Sequence, residues 1–367
     1  MHRAAPITAL ELAVIVPTLN EADNIGVLVA ALDRALAGTA YEIVFVDDWS
    51  VDGTPDIVAA LARDRTDIRL IRRYGRRGLS SAVIEGALAT VAPIVAVIDA
   101  DMQHDERLLP KLLVRVQSDE ADIAIGSRYC LGGSFGEWDT GRIAKSRIAT
   151  ALARRLTATP VADPMSGFFV VRRSALLAAL PRLSNMGFKV LLDLLASSPI
   201  PLRAVELPFE FRTRHAGTSK LDSSVAVEFV LMLLDKSVGR WLPPRMILFG
   251  AVGIAGLAVH LTVLRIAMLF GARFTVAQTL AVLTAIAFNF TLNNALTYRD
   301  RRLHGRAFLP GLLSFYAVCG LGALANVGAG DYVFGEGHRW WLAGIAGAAV
   351  GSLWNFAASS VTTWRKR

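Results

Sequence analysis

The chain has 367 residues, of which 53% are hydrophobic and 19% are charged, and its formal net charge is +8. Its mean hydropathy of +0.44 is high for a soluble protein and its length exceeds one typical domain, so we expect two domains, one of them in a membrane. The two cysteines, Cys130 and Cys319, lie far apart in the sequence, which excludes a small fold held together by disulfides.

Residues 1–240 alternate predicted strands and helices. The apolar strand Leu12–Pro17 is followed by a polar turn and an amphipathic helix whose apolar face includes Ile25 and Leu28. The strand Tyr41–Val46 leads into a second polar turn and another helix. This repetition predicts a mostly parallel α/β sheet with ligand-binding groups along one edge. Because the first strand begins so early, we expect no cleavable signal peptide.

The turns lack two common phosphate-binding motifs. A GxGxxG fingerprint is absent from the first turn, which argues against a dinucleotide oxidoreductase, and GxxxxGK[ST] does not occur, which argues against a P-loop NTPase. Phosphate groups would then be held by a metal ion and by basic side chains.

The segment Val95–His104, VAVIDADMQH, is an apolar run that ends in Asp99, Asp101, Gln103 and His104. Carboxylate and amide oxygens at the end of a buried strand suit a hard cation, Mg²⁺ or Mn²⁺, which would bridge to substrate phosphates. The alternative interpretation is a polar turn that caps the next helix through Asp105.

Four long apolar segments follow, at about 246–270, 274–298, 307–327 and 340–364. Each approaches the roughly 20 residues that a helix needs to cross a bilayer. Basic residues cluster before the first segment, between the second and third, and after the fourth, which predicts a multi-pass plasma-membrane protein with its N-terminal domain and both termini in the cytoplasm. The positive charge therefore indicates membrane topology and lipid headgroups, and we expect no nucleic-acid partner.

The segment Leu221–Leu242 mixes apolar and polar residues and predicts amphipathic helices at the membrane surface, with a simple linker as the alternative. We therefore divide the chain into a catalytic domain at 1–220, interface helices at 221–244 and a transmembrane domain at 245–367.

Seven motifs between about residues 12 and 222 carry a family resemblance. They occur in the order VPTLNEADNI, VDDWSVDGT, RRGLSSAVIEGA, DADMQHD, IGSRY, DPMSGFFVVRR and HAGTSKL. The set resembles the family 2 glycosyltransferases and, more narrowly, the dolichol/polyprenyl-phosphate mannosyltransferases, and the apolar tail resembles the GtrA-like membrane module. The resemblance implies a GT-A fold and inverting transfer of mannose from GDP-mannose to polyprenyl or dolichyl phosphate.

The resemblance also implies a role for each matching position. The residues that would bind the nucleotide sugar are Pro17, Asn20, Glu21, Val46, Asp48, Asp99, Ala100, Asp101, Met102, Gln103, Arg214 and Lys220. Asp99, Asp101 and Gln103 would hold the metal ion, and Arg128, Arg142 and Ser146 would bind the lipid phosphate. Asp99, Asp101, Arg128 and Arg142 would form the catalytic group. The alternatives are helix N-capping for Asn20, Glu21 and Asp52, and a solvated or headgroup-facing basic surface for the arginines.

The chemical nature of the acceptor decides whether the enzyme needs a catalytic base. A sugar hydroxyl normally needs a carboxylate base, whereas a phosphate monoester is already an anion near neutral pH. We therefore expect no obligatory general base, with Asp163 as the alternative candidate. Trp49 is bulky for its turn, and Ser80 stands where relatives commonly have glycine.

Other functions stay open at this point. Close relatives that use UDP-glucose share nearly every motif, so a UDP-sugar is the alternative donor. A flippase role for the GtrA-like domain is a second alternative, because asparagines and His260 lie within the apolar segments. A processive polysaccharide synthase is disfavoured, since its QxxRW signature is missing.

Overall fold

The computed structural model describes residues 9–75, 78–136, 140–184, 189–213, 229, 232–233, 235–236, 244–298, 301–337 and 340–365. The chain divides into two compact units, residues 1–237 and 238–367. Most of the predicted interface segment 221–244 lies outside the described residues.

The first unit is built on a seven-stranded sheet in the order β3-β2-β1-β4-β6-β5-β7. Its strands are β1 (Leu12–Thr18), β2 (Tyr41–Asp47), β3 (Ile68–Arg72), β4 (Ile94–Val97), β5 (Ile123–Ser127), β6 (Phe169–Arg172) and β7 (Ala204–Pro208). Every pairing is parallel except those of β6, which runs antiparallel to both of its neighbours. The mostly parallel GT-A-like sheet expected from the sequence is therefore present.

Helices cover both faces of this sheet, which explains why its central strands are apolar without alternation. The helices are α1 (Ala22–Ala35), α2 (Thr54–Asp64), α3 (Leu79–Leu88), α4 (Leu109–Gln117), α5 (Thr140–Arg154), α6 (Arg173–Ala179) and α7 (Val190–Ser197). The predicted apolar face of α1 is buried, including Ile25 and Leu28. One core lies between the sheet and α1 and α4, and a second lies on the opposite face under α3 and α7.

The strand order creates one natural binding edge. The chain runs outward from β1 to β3 and then returns to place β4 on the other side of β1. The carboxyl ends of β1 and β4 thus form a topological switch point, where open α/β sheets bind ligands. The predicted polar turns after β1, β2 and β4 all lie along this edge.

Helical residues from the predicted interface segment pack on the first unit. Met232 is buried in a small cluster with Ala153, Met165 and Leu192. The Lys236 ammonium lies 2.6 Å from the carboxylate of Asp193, which is fully buried.

The described part of the second unit contains four long helices. They are α8 (Pro244–Leu269), α9 (Phe274–Leu292), α10 (Phe308–Gly335) and α11 (Trp340–Val361). Three helical segments are long and apolar enough to cross a membrane, namely Arg245–Leu269, Thr279–Thr297 and Gly305–Ala325. The fourth predicted span is helical over Trp340–Val361, so four helices are present while three described segments meet the criteria for spanning.

An aromatic core fastens the ends of these helices. Trp364 is fully buried and stacks on Tyr298 with their ring centroids 4.2 Å apart, and Phe290 and Phe315 pack around it. A π-helical turn, Asn293–Thr297, precedes Tyr298. The inserted residue of such a turn redirects the side chains that follow it.

Candidate active site

The turns after β1 and β2 are joined by hydrogen bonds. The fully buried Asp47 carboxylate accepts from the Thr18 hydroxyl at 3.2 Å and from the Ser50 backbone N–H at 3.0 Å. The Glu21 backbone N–H donates to the Thr54 hydroxyl at 2.9 Å. Asp47 is therefore a structural residue that shapes this edge and is closed to ligands.

The capping alternative applies to one of the three residues for which it was considered. Asp52 accepts from the backbone N–H groups of Ala22 and Thr54, the first residues of α1 and α2. Asn20 accepts from the Val51 N–H at 3.0 Å, which lies in the turn before α2 and not in a helix. Glu21 precedes α1 without a side-chain bond to the helix backbone, and its carboxylate accepts from the Asn24 amide at 2.7 Å. Asn20 and Asp52 thus hold the two turns against each other.

Asp48 is bound by an arginine that the sequence analysis did not single out. The Asp48 carboxylate lies 2.5 Å from the Arg73 guanidinium and accepts from the Gly78 N–H at 2.7 Å. Burial raises the pKa of Asp48, while the Gly78 N–H and the positive charge of Arg73 act in the opposite direction. Arg73 is only 2% exposed and also lies 3.2 Å from Glu85, so the pair stiffens the edge beside β2 and β3.

Trp49 and Ser80, the two unusual residues, occupy different environments. Trp49 has φ of 64°, a left-handed conformation that is strained for a bulky residue, and its half-exposed ring packs edge-on against Tyr74 at 5.4 Å. Ser80 is fully buried near the start of α3, and its hydroxyl has no hydrogen-bond partner among the described residues. Ser80 therefore affects the packing of α3 and does not line an open surface.

Asp99 follows the end of β4 and lies beside His104 and Gly167. The Asp99 backbone N–H donates to His104 Nδ1 at 3.3 Å, so the neutral ring carries its proton on Nε2, 3.9 Å from Asp99 Oδ2. Burial lowers the pKa of His104 to about 4, and the ring stacks on Phe168. A Cβ added at Gly167 would lie 3.2 Å from Asp99 Oδ2, which explains why glycine suits this position.

Asp101 and Gln103 form the second part of this turn. The Asp101 carboxylate accepts from the Gln103 backbone N–H at 3.1 Å, and Asp101 is 7% exposed. The Gln103 side-chain amide donates to the carbonyl of Arg212 at 3.1 Å, and the Arg212 N–H donates to the Gln103 carbonyl. Asp105 accepts from the Arg107 N–H, so the predicted cap exists beside the acidic turn and does not replace it.

The donor set fits a hard divalent cation that takes further ligands from a substrate. In the part of the chain that the structure describes, no cluster of three or more His, Cys, Asp or Glu residues could hold a metal alone. Mg²⁺ is typically bound by one or two carboxylates with substrate phosphates completing its ligands. The side chain of Asp99 is 35% exposed at the switch point, which leaves an oxygen ligand accessible there.

Two further predicted nucleotide-site residues have buried side chains. Val46 is fully buried and Ala100 is 3% exposed. A Cβ at Gly86 of α3 would lie 3.0 Å from Val46, so the Val46 side chain faces the core and a ligand could meet only backbone there. Pro17 and Met102 are partly exposed, and Met102 has φ of 63°.

Arg128 and Asp163 form a buried ion pair. The Arg128 Nε and Nη2 atoms lie 2.8 and 3.0 Å from the two Asp163 oxygens, and the Arg128 backbone N–H also donates to Asp163. Asp163 is fully buried and Arg128 is 7% exposed. Glu206 accepts from the Asp163 N–H at 2.9 Å and fixes the loop that carries it.

Of the other residues predicted to bind phosphate groups, the structure describes the side chain of Ser146 only. The Ser146 hydroxyl on α5 lies 2.8 Å from the hydroxyl of Tyr129, the residue after Arg128. The side chain of Arg142 and all of Arg214 and Lys220 lie outside the described residues.

Sequence reasoning missed the residues whose role is to hold others. Arg73, Arg212, Glu206 and Tyr129 each contact a predicted site residue or its loop from a distant part of the chain. Arg73, Arg212 and Glu206 carry no local signal, since their positions depend on strand order and loop packing, whereas Tyr129 stands in the IGSRY motif. His104 was visible in its motif, but its role in orienting Asp99 was not.

Both units match known families. Residues 13–178 match glycosyl transferase family 2, and residues 248–364 match the GtrA/DPMS transmembrane domain. A dolichol-phosphate mannosyltransferase from Pyrococcus furiosus is 32% identical over 357 residues, which cover 97% of this chain and 99% of that protein. A dolichol-phosphate mannosyltransferase from Saccharomyces cerevisiae is 36% identical over 66% of this chain and 92% of that protein.

Among solved structures, a glucosyl-3-phosphoglycerate synthase from Mycobacterium tuberculosis is similar at a TM-score of 0.46 and 18% identity, over 62% of this chain and 80% of that chain. The archaeal relative is far more similar in sequence and extends over both units. Because the archaeal relative matches almost the whole length, this chain belongs to the dolichol-phosphate mannosyltransferase group of glycosyl transferase family 2 and is a membrane glycosyltransferase with a GtrA-type transmembrane domain.

Proposed function

We propose that the enzyme transfers mannose from GDP-mannose to the phosphate of a polyprenyl or dolichyl lipid, with Mg²⁺ or Mn²⁺ and with inversion at the anomeric carbon. The observation that carries the proposal is the acidic turn at the switch point, where His104 binds the Asp99 backbone N–H and where Gln103 and Arg212 brace Asp101. The activity for which the archaeal and yeast relatives are named supports the lipid acceptor and the sugar.

The donor would lie across the strand ends. Asp99, Asp101 and Gln103 would hold the cation on the diphosphate, and a bound cation would neutralise charge on the departing nucleoside diphosphate. The nucleoside would then extend from β4 past Asn20 and Glu21, which follow β1, toward Asp48, which follows β2. Two strand spacings amount to roughly 10 Å, comparable to the length of a nucleoside diphosphate.

The acceptor phosphate would attack without a protein base. Both oxygens of Asp163 accept hydrogen bonds from Arg128, and the carboxylate is fully buried, which supports a structural role for this residue. Ser146, Arg142 and Arg128 would position the lipid phosphate, and Arg214 and Lys220 would engage the donor diphosphate. Catalysis then depends on positioning and electrostatic stabilisation.

We also propose that the enzyme is a multi-pass plasma-membrane protein with the catalytic unit on the cytoplasmic side. The basic residues between α9 and α10 and after α11 support this orientation. Polyprenyl phosphate would then be drawn from the inner leaflet.

The test is a transfer assay with the purified full chain and short-chain polyprenyl phosphate. We expect labelled lipid from GDP-mannose with Mn²⁺ or Mg²⁺, no product after chelation, and little product from UDP-glucose. Labelled lipid from UDP-glucose alone would contradict the donor assignment, and full activity in chelator would contradict the cation.

Two variants test the acidic turn in the same assay. Asp99→Asn and Asp101→Asn should each lower the rate at least a hundredfold, because a ligand to the cation is lost. Asp64→Asn, an exposed carboxylate at the end of α2, is the matched control and should retain full activity. Equal rates for all three variants would contradict the assignment of Asp99 and Asp101 to the cation site.

A further inference from the structure

The second unit contains a cavity of about 750 Å³ that has no part in the proposed transfer reaction. It lies between the link that precedes α10, the first turns of α10, and the residues at the end of α11. Its lining includes Arg306 and Arg365, the hydroxyl residues Ser314, Thr362 and Thr363, and the apolar residue Pro310.

The charge of the cavity favours an anion. Arg306 and Arg365 are exposed, and neither forms an ion pair with a carboxylate among the described residues. Residues 238–367 contain only three acidic residues, of which Asp331 and Glu336 lie at the opposite end of α10 and Asp300 lies outside the described residues. Two guanidinium groups that line one cavity offer donors suited to the oxygen atoms of a phosphate group.

The rest of the lining suits a molecule with a polar head and an apolar tail. The Ser314 and Thr363 hydroxyls lie 3.0 Å apart, and each retains capacity for a second hydrogen bond. Leu303, Ala307 and Pro310 supply an apolar side next to these groups.

Both walls are fixed by the aromatic core beneath them. Asn294 Oδ1 accepts from the Leu303 backbone N–H at 2.8 Å and from the Trp364 indole at 3.0 Å. The Arg301 guanidinium donates to the Trp364 carbonyl at 3.1 Å. Leu303 and Trp364, the residue before Arg365, are therefore held at set positions, which favours a preformed site.

The cavity also lies beside the link between two candidate spans, Thr279–Thr297 and Gly305–Ala325. If both spans cross the bilayer, this link is expected near the lipid headgroups. Basic pockets between transmembrane helices at this depth characteristically bind phosphate-bearing headgroups.

We propose that this cavity binds the phosphate headgroup of a membrane lipid, with Arg306 and Arg365 on the phosphate and the chains leaving past Leu303 and Pro310. The shared chemistry is a lipid-borne phosphate, which either an anionic phospholipid or a polyprenyl phosphate supplies. The site is separate from the acidic turn, and the proposal does not depend on which sugar the enzyme transfers.

The test measures lipid binding to the delipidated full chain in detergent by native mass spectrometry and by the thermal unfolding midpoint. The probes are phosphatidylglycerol, polyprenyl phosphate, phosphatidylcholine and inorganic phosphate. The double variant Arg306→Gln/Arg365→Gln should bind the preferred anionic lipid at least tenfold more weakly than the native chain. The control Arg273→Gln/Arg302→Gln removes the same charge from exposed arginines that do not line the cavity and should bind normally.

The four probes separate the outcomes. Stronger retention of phosphatidylglycerol or of polyprenyl phosphate identifies the source of the phosphate and supports the site. Equal loss of binding in both double variants would indicate general charge attraction and would overturn the proposal. An effect of phosphatidylcholine, or of inorganic phosphate alone, equal to that of the anionic lipids would also overturn it. If the double variant does not fold, the single variants Arg306→Gln and Arg365→Gln decide the question by the same measurements.

Discussion

Arg128 has a buried ion-pair partner that its sequence motif does not predict. Its position in IGSRY implies a contact with the lipid phosphate, whereas its guanidinium in the structure pairs with both oxygens of Asp163. A guanidinium engaged on one side can still present other N–H groups, since it has five donors. The pair therefore fixes Arg128 at the edge of β5 and engages both oxygens of Asp163.

The Asp163→Asn variant tests this structural role. Removing one partner leaves the buried Arg128 charge uncompensated, so we expect the free energy of unfolding to fall by about 3–5 kcal/mol. The double variant Asp163→Asn/Arg128→Met should lose less than the sum of the single changes. Chemical unfolding of the full chain in detergent measures both effects.

Arg107→Gln serves as the control, because the Arg107–Asp105 pair is at the surface, where solvent screens it, and its loss should leave the stability nearly unchanged. Loss of sugar transfer in Asp163→Asn without loss of stability would contradict the structural role and would restore Asp163 as the candidate base.

At the scale of elements, α3 lies unusually close to the sheet because Gly86 has no side chain. A Cβ at Gly86 would lie 2.6 Å from Ile15 and 3.0 Å from Val46, on β1 and β2. Both strands end at the proposed nucleotide site. The position of α3 is thus coupled to the edge that carries Asp48.

Gly86→Ala should therefore lower the free energy of unfolding by about 1–3 kcal/mol through overpacking. Gly26→Ala is the matched change on the exposed side of α1, where nothing lies within 4 Å of the new Cβ. It should raise the stability by roughly 0.5–1 kcal/mol, because alanine loses less entropy in a helix. Effects of the same sign for both variants would contradict the packing of α3.

Arg65 joins elements on the other side of the sheet. Its guanidinium lies 2.6 Å from Asp33 of α1 and 2.5 Å from Asp67, which precedes β3. Hydrogen bonds from Arg65 are the largest cause of the lowered pKa of Asp33 and of Asp67. Both groups are partly exposed, so solvent weakens the interaction.

The lowered pKa values of these carboxylates determine how the stability of the fold changes with pH. The stabilisation is complete above the unfolded-state value of about 3.8 and is lost as the pH falls through the lower folded-state values. Arg65→Gln should thus be less stable than the native chain at pH 7, and the difference should shrink below pH 4. Unfolding measured from pH 7 to pH 3 checks this, and a difference that grows in acid would contradict it.

At the scale of the whole molecule, the distribution of arginines predicts the orientation of the membrane unit. A cysteine placed after α10 and one placed before it should lie on opposite sides of the membrane. In a Cys130→Ser/Cys319→Ser background, Glu336→Cys should react with an impermeant maleimide in intact cells. His304→Cys should react only after the cells are opened.

Arg365→Cys extends this experiment to the last helix. It should behave like His304→Cys if α11 crosses the membrane, and like Glu336→Cys if it does not. All three cysteines should react in detergent, which controls for burial. Labelling of His304→Cys in intact cells would reverse the proposed orientation.

The sequence by itself determined the features that depend on neighbouring residues. Apolar runs without alternation marked β1, β2 and β4, helical periodicity marked α1, and length and hydropathy marked the membrane helices, because each pattern records burial along a short stretch of chain. The same reasoning located Asp99, Asp101 and Gln103 at a strand end. The ordered motifs added the family, which the comparisons confirmed.

Only the tertiary structure decided which distant residues meet. Several contacts join segments that are far apart in the chain. They are the antiparallel insertion of β6, the pairing of Arg128 with Asp163, the bond from Arg73 to Asp48, and the bond from Gln103 to the Arg212 carbonyl. The cavity between Arg306 and Arg365 arises in the same way. Such contacts depend on strand order and on the packing of one helix end against another. The local pattern of residues determines neither of these.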